Sequence, residues 1–332
     1  MSYWLNECCN VEFISLTNLN TDSVTSMCGL FRNCKKLPAV NFPESFYTGN
    51  VINMYSMFRG CESLTSLNLS KFNTSKATDM DFMFSGCTSL TETPTFSNVT
   101  TVGNSGFSYC FRNCLSLTEA PSFTNLTNIE DYGFYYCFSG CTSLTEVPNF
   151  TKVTSIKDYS FQSCFRDCTA LTTPPSFENV TEVGVSGFST CFINCTSLIE
   201  TPSFSNVSYI SRSAFSSCFS GCTALTTPPT FNDITTVGME AFQNCFSGCI
   251  SLINSGDLSK VTANTIRVCE GMFKDCTSLN YVYVPRTNGW DVDKFNNWLY
   301  NVSPSGTIVK PKELTIPSGA SGIPSGWTVE ER

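Results

Sequence analysis

Phe161-Gln162-Ser163-Cys164-Phe165-Arg166-Asp167-Cys168-Thr169-Ala170-Leu171 decides how this chain is built, because its skeleton returns before and after at a fixed interval. Cys34, Cys61, Cys87, Cys114, Cys141, Cys168, Cys195, Cys222, Cys249 and Cys276 follow one another every 27 residues, with one 26-residue step from Cys61 to Cys87. Three places after each stands a leucine, among them Leu117, Leu144, Leu171, Leu198 and Leu225. Three places before each stands a phenylalanine, among them Phe111, Phe138, Phe165, Phe192, Phe219 and Phe246. Ten units carry all three marks. A period of this length denotes a stacked repeat architecture, in which no unit closes a core alone and each apolar column meets its counterpart in the next turn.

Within a unit, Phe161, Cys164, Phe165 and Cys168 are spaced i, i+3, i+4, i+7, which predicts a short helix with one apolar face. The residue before each anchoring cysteine is Asn33, Gly60, Gly86, Asn113, Gly140, Asp167, Asn194, Gly221, Gly248 or Asp275. These types tolerate the left-handed conformation that ends a helix. Asn104, Asp131 and Asp158 precede successive helical stretches and read as N-caps. After the leucine the pattern turns strand-like, as in Leu144 to Phe150 and Val153 to Ile156, giving one or two short strands per unit. Pro94, Pro121, Pro148, Pro175, Pro202 and Pro229 recur in register and interrupt the first strand, since proline donates no ladder bond. The expected fold is therefore an α/β repeat solenoid over residues 27–284. Residues 1–26 are read as an N-terminal cap and 285–332 as a C-terminal cap. In the latter, Asp291 to Asn301 reads as an amphipathic helix burying Phe295, Trp298 and Leu299, followed by a strand and the Ile316–Gly326 loop.

Composition removes whole classes of function. The 332 residues contain no histidine, which excludes Ser-His-Asp and Cys-His catalysis and histidine metal sites. A net charge of -8 argues against a nucleic-acid partner. No apolar run reaches the roughly 18 residues of a membrane span, so direct membrane insertion is not expected. The opening Met1-Ser2-Tyr3-Trp4-Leu5-Asn6-Glu7 lacks the basic stretch and apolar core of a secretory signal. The twenty cysteines are read as apolar filler rather than bridges or metal ligands, because the column four before the anchor exchanges Cys164 for Met57, Met83, Met272 or Leu30. Cys8 and Cys9 lie outside the repeat. Buried free thiols favour a reducing compartment. No cofactor or metal is implied.

Two surface sets merit weighing. Glu92, Glu119 and Glu146 share a column, with Glu200 two turns further on. Stacked carboxylates could bind a cation or act as a glycosidase pair, but as outward strand residues they are expected to be simply solvated. Tyr109, Tyr135 and Tyr136 fall on exposed helix positions and are candidate contacts for a partner. Asn-x-Ser/Thr sequons recur, Asn125 and Asn179 among them, several as mere by-products of the period.

Met57-Phe58-Arg59-Gly60-Cys61-Glu62-Ser63-Leu64, its echo Met83 to Leu90, and Ala214 to Cys218 resemble the BspA-like leucine-rich repeats of bacterial surface proteins. The resemblance covers about residues 27–284 and implies a leucine-rich-repeat solenoid that binds host proteins, cell surfaces or glycans, with no catalytic residues. Residues 285–332 look like the tails of similar proteins from gut bacteria and their phages. With the unbridged cysteines and the missing signal, this points to a phage virion or appendage component assembled in the cytoplasm. The alternatives are an exported bacterial adhesin, a structural protein packed against other virion subunits and, last, a polysaccharide-cleaving enzyme.

Overall fold

The computed structural model describes all residues except 18, 66, 68–71, 94, 95, 97, 232, 233 and 235, so Pro94 lies outside the described residues. The chain winds as a right-through stack of coils, each paired in parallel with the next. Two-residue strands recur at β1 (Thr101–Val102), β2 (Asn128–Ile129), β3 (Ser155–Ile156), β4 (Glu182–Val183), β5 (Tyr209–Ile210) and β6 (Thr236–Val237). Their register is one repeat, Ser155 opposite Glu182 and Ile156 opposite Val183. In each strand the second residue, valine or isoleucine, is buried and the first faces outward or nearly so. The segment after the leucine contributes isolated parallel bridges instead of a continuous strand, as at Glu119 with Glu146 and Phe204 with Phe231. Buried Pro121, Pro148, Pro175, Pro202 and Pro229 sit in this segment and withhold the N–H a ladder would need.

The predicted helix is not there. Over 159–168 the amides divide into two sets. Tyr159, Phe161, Ser163, Phe165 and Asp167 donate to carbonyls of the next coil at 2.8–3.0 Å. Gln162, Cys164, Arg166 and Cys168 donate back three residues at 3.1–3.3 Å. The result is a ribbon of overlapping turns with left-handed residues every fourth place, at Tyr159, Ser163 and Asp167. A ribbon of this period puts Phe161, Cys164, Phe165 and Cys168 inward just as a helix would, and all four are fully buried. Stack spacing decides between them. Helices pack about 8–10 Å apart, whereas Phe138, Phe165 and Phe192 stack at 5.5 and 5.4 Å with interplanar angles of 4° and 11°. Only a flat ribbon that shares its amides with its neighbour fits that interval.

The left-handed residue before each anchor is where the sequence put it, but it closes the last turn of the ribbon rather than a helix. Asp131 and Asp158 cap nothing in their own coil. Asp131 Oδ1 accepts the Asp158 amide at 3.1 Å and Asp158 Oδ1 accepts the Val185 amide at 2.7 Å, both in the following coil.

Two phenylalanine ladders make the core. Rings of the Phe161 column meet rings of the Phe177 column edge to face, Phe161 against Phe177 at 5.1 Å and 82°. Each ring is thus stacked along its own column and edge-on to the other, the two favourable aromatic geometries at once. The anchoring sulfurs are more than filler. All ten donate to a carbonyl of the preceding coil at 2.9–3.2 Å, Cys168 Sγ to the Phe138 oxygen and Cys34 Sγ to the Leu5 oxygen. That explains why this column never exchanges cysteine for methionine, whereas the column four before it does.

The ribbon extends beyond both ends of the periodic sequence. Tyr3, Leu5 and Glu7 donate to the carbonyls of Cys28, Leu30 and Arg32, and Tyr3 and Glu7 are left-handed. Cys8 therefore occupies the anchor position of a first coil and is not outside the repeat. At the other end, Arg267, Cys269, Gly271, Phe273 and Asp275 donate to residues 293–300. The amphipathic helix expected there is four residues long, α1 (Val292–Phe295), yet Phe295, Trp298 and Leu299 are buried as its pattern required. A final parallel sheet joins β7 (Tyr281–Tyr283), β8 (Gly306–Lys310) and β9 (Trp327–Glu331).

Candidate functional site

The ribbon's outward positions carry the most distinctive surface. Those five before the anchor are Tyr3, Gly29, Ser56, Phe82, Tyr109, Tyr136, Ser163, Thr190, Ser217, Asn244 and Gly271, and every one is left-handed. Tyr132 and Tyr159 occupy the other left-handed place, four residues earlier in their coils. A bulky aromatic side chain in this conformation is an outlier that costs on the order of 1–2 kcal/mol. Glycine, serine and asparagine fill the same columns elsewhere, so the aromatic residues here are not a backbone requirement.

They form one continuous ridge. Phe82 stacks on Tyr109 at 4.5 Å and Tyr109 on Tyr136 at 5.3 Å. Tyr135 stands edge-on to Tyr109, Tyr132 and Tyr136 at 5.3, 5.5 and 4.6 Å, and Tyr132 stacks on Tyr159 at 4.8 Å. Tyr55 joins at the near end, 6.0 Å from Phe82. Guanidinium groups lie over two of the rings, Arg59 4.6 Å from the Phe82 centroid and Arg112 5.6 Å from that of Tyr109. Burial and a hydrogen bond to Tyr109 push the Tyr135 hydroxyl up to about 12, so it remains a donor across the physiological range. The three expected tyrosines are brought together, though each is half-buried against its neighbours rather than exposed; Tyr55, Phe82, Tyr132 and Tyr159 were missed. Their signal was present as aromatic residues at i, i+3 and i+4 recurring at one unit's spacing, a set that a helix and the ribbon alike place on one face.

Beyond Tyr159 the same face turns hydroxylic, with Ser163 and Thr190 hydroxyls 2.6 Å apart. It then turns ionic, where Arg267 lies 3.8 Å from Glu240 and 3.5 Å from Glu270. Pairs this exposed contribute little stability.

At the ridge's near end sits Asp81, with Oδ1 enclosed and without a partner. Burial, then the charge of Asp79, raises its carboxyl to about 7, opposed by the Phe82 amide and Arg59. An acid raised on folding favours the native state while protonated, and that contribution is lost as pH rises from about 4 through 7. Asp81→Asn is therefore expected to raise the Tm at pH 8 by a few degrees and to change it little at pH 4. An equal shift at both pH values in thermal melts would contradict this origin.

The glutamates lie elsewhere. Glu119 and Glu146 are bridge partners and line a cleft of about 320 Å³ with Ser122, Thr124, Asn149 and Lys152. Glu92 and Glu119 line a second cleft of the same volume with Thr91 and Thr93. Glu200 pairs instead with Thr227. All four side chains are exposed. Among the described residues no group of three or more Cys, Asp and Glu side chains is placed to hold a metal ion, and no helix is long and apolar enough to cross a membrane.

A family described as the BspA type leucine-rich repeat region matches in six copies, over residues 108–247 and 189–316. Residues 1–122 match a family described as a Mycoplasma protein of unknown function, DUF285. No curated protein matches. Among solved structures, a leucine-rich repeat protein from Bacteroides ovatus is 18% identical, over 91% of this chain and 86% of its own, with a TM-score of 0.32. A leucine rich cell surface protein from Faecalibacterium prausnitzii is 20% identical over 82% and 79%, with a TM-score of 0.39. A leucine-rich repeat protein from Eubacterium ventriosum is 18% identical over 97% and 89%, also at 0.39.

Proposed function

The chain belongs to the BspA-type leucine-rich repeat family, and from that premise we propose that it is a non-catalytic recognition module that binds a protein on a cell surface through the aromatic ridge. The observation that carries this reading is the run of left-handed aromatic residues that adjoin in the ridge, Phe82, Tyr109, Tyr132, Tyr136 and Tyr159. Aromatic residues kept at positions where glycine would relieve the strain mark a surface held for contact. The ribbon is hydrogen-bonded along its own turns and to both neighbours, so the side chains are held before a partner arrives, which lowers the entropy cost of binding. Tyrosine, serine and arginine on a rigid frame are the residues that dominate protein-binding paratopes.

Protein is favoured over glycan by ring orientation. The rings stack face to face on one another, so they offer edges and hydroxyls outward, and the faces a sugar would lie on are already covered. Glu92, Glu119 and Glu146 lie exposed on open clefts, as solvated strand residues do. The thiol-rich core supports assembly in a reducing cytoplasm, as for a component of a virion appendage.

The test compares the purified chain with the triple variant Tyr109→Ser, Tyr135→Ser, Tyr136→Ser on an array of immobilised cell-surface proteins and on a glycan array. Serine already occupies these columns at Ser163, Ser216 and Ser217, so the variant keeps the fold. Protein hits weakened at least tenfold in the variant, and untouched by Glu119→Gln with Glu146→Gln, are the expected result. Binding confined to glycans, or protein binding indifferent to the three serines, would refute the reading.

A further inference from the structure

The first coil differs from the rest of the sulfur ladder in one respect. Seventeen cysteines are buried, while Cys8, Cys9 and Cys28 are half-buried. Leu5 N–H to the Leu30 oxygen at 3.0 Å and Glu7 N–H to the Arg32 oxygen at 2.7 Å set the register that places Cys8 beside Cys34. Among the described residues this is the one pair of neighbouring anchors with a member that solvent reaches. The Cys8 amide and thiol both lie within hydrogen-bond reach of the Cys34 sulfur, which also donates to the Leu5 oxygen at 3.1 Å. Neighbouring backbones in such a ladder are about 4.8 Å apart, inside the roughly 4.4–6.8 Å window that a disulfide spans between Cα atoms. Cys28 is not an equivalent candidate, since it lies on an outward ribbon position with its thiol on the Tyr3 hydroxyl.

We propose that Cys8 and Cys34 form a redox latch, an inter-coil disulfide made by hydrogen peroxide when the protein leaves a reducing compartment. The Cys8 thiolate attacks one peroxide oxygen; the O–O bond breaks, leaving a sulfenic acid on Cys8 and hydroxide, which takes up the thiol proton as water. The Cys34 sulfur then attacks the Cys8 sulfur, the S–O bond breaks, and the departing hydroxide carries off the Cys34 proton as a second water. Two thiols and one peroxide become one disulfide and two waters. Burial raises the Cys34 thiol to about 11, so the second step is slow at neutral pH and quickens as pH rises. The latch ties down the end of the stack. Repeat proteins open from their terminal units, which makes this the place where one bridge restrains the most.

The experiment treats the reduced full chain with hydrogen peroxide, blocks remaining thiols with an alkylating agent and maps peptides without reduction. The expected product is a linked pair containing Cys8 and Cys34, with two thiols lost per chain, formed faster at pH 9 than at pH 7. Cys9→Ser is expected to leave it intact. Cys8→Ser is expected to abolish it, with an unchanged circular dichroism spectrum showing that the variant still folds. A link from Cys9 to Cys8 or Cys28, a Cys8 carried on to sulfinic acid with Cys34 still alkylated, or no oxidation at all would each overturn the proposal.

Discussion

Phe165→Ala is expected to cut the free energy of unfolding by about 3–5 kcal/mol. The ring is fully buried and stacks on both neighbours, 5.5 Å from Phe138 and 5.4 Å from Phe192. Its removal leaves a void that cannot collapse, because the coils above and below are held apart by ribbon hydrogen bonds from Phe138 to Cys164 and from Phe165 to Cys191. In a stack whose stability is a sum of nearest-neighbour terms, a gap in the middle also weakens the coupling between the halves. Urea unfolding should therefore become broader or biphasic as well as shifting to lower midpoint. Phe13→Ala, at a residue 73% exposed, serves as the control and is expected to leave the transition unmoved. A sharp single transition displaced by less than about 1 kcal/mol would mean that the ladder is not what holds the coils together.

Cys168→Ala should cost about 2–3 kcal/mol, a large effect for the loss of one atom. The sulfur fills a fully buried position and donates to the Phe138 oxygen at 3.2 Å, so both volume and a hydrogen bond disappear. Cys164→Met, four residues away, should cost less than about 1.5 kcal/mol, because Met57, Met83 and Met272 already occupy that column. Chemical denaturation of the three reduced proteins measures both. Equal costs at Cys164 and Cys168 would show that the anchor's hydrogen bond contributes nothing and that volume alone selects cysteine.

The contrast between those two positions marks how far the sequence could be read. Cys164 is apolar volume, as its exchange with methionine suggested. Cys168 looks identical in composition, yet its invariance has a cause, a carbonyl 30 residues back in the chain, that no local pattern displays. The ridge shows the same limit. Tyr109, Tyr135 and Tyr136 were legible as aromatic residues off the core face, although the structure half-buries all three, whereas their contact with Tyr55, Phe82, Tyr132 and Tyr159 depends on how closely the coils stack. The glutamate column was legible as a column, and its members are as exposed as outward strand residues should be.

By itself the sequence determined the stack. Burial is a property of each residue type, so Phe, Cys and Leu returning every 27 places compel successive coils to superpose, and Asn, Gly or Asp before each anchor declares a left-handed turn wherever it stands. Only the tertiary structure decided which carbonyl each amide would meet. An i, i+3, i+4, i+7 spacing turns the same side chains inward on a helix or on a ribbon of turns, and the choice rests on partners 25 or 26 residues away whose distance the stacked rings set near 5.4 Å. At that interval an isolated helix has no room, and half of the amides find their acceptors in the neighbouring coil.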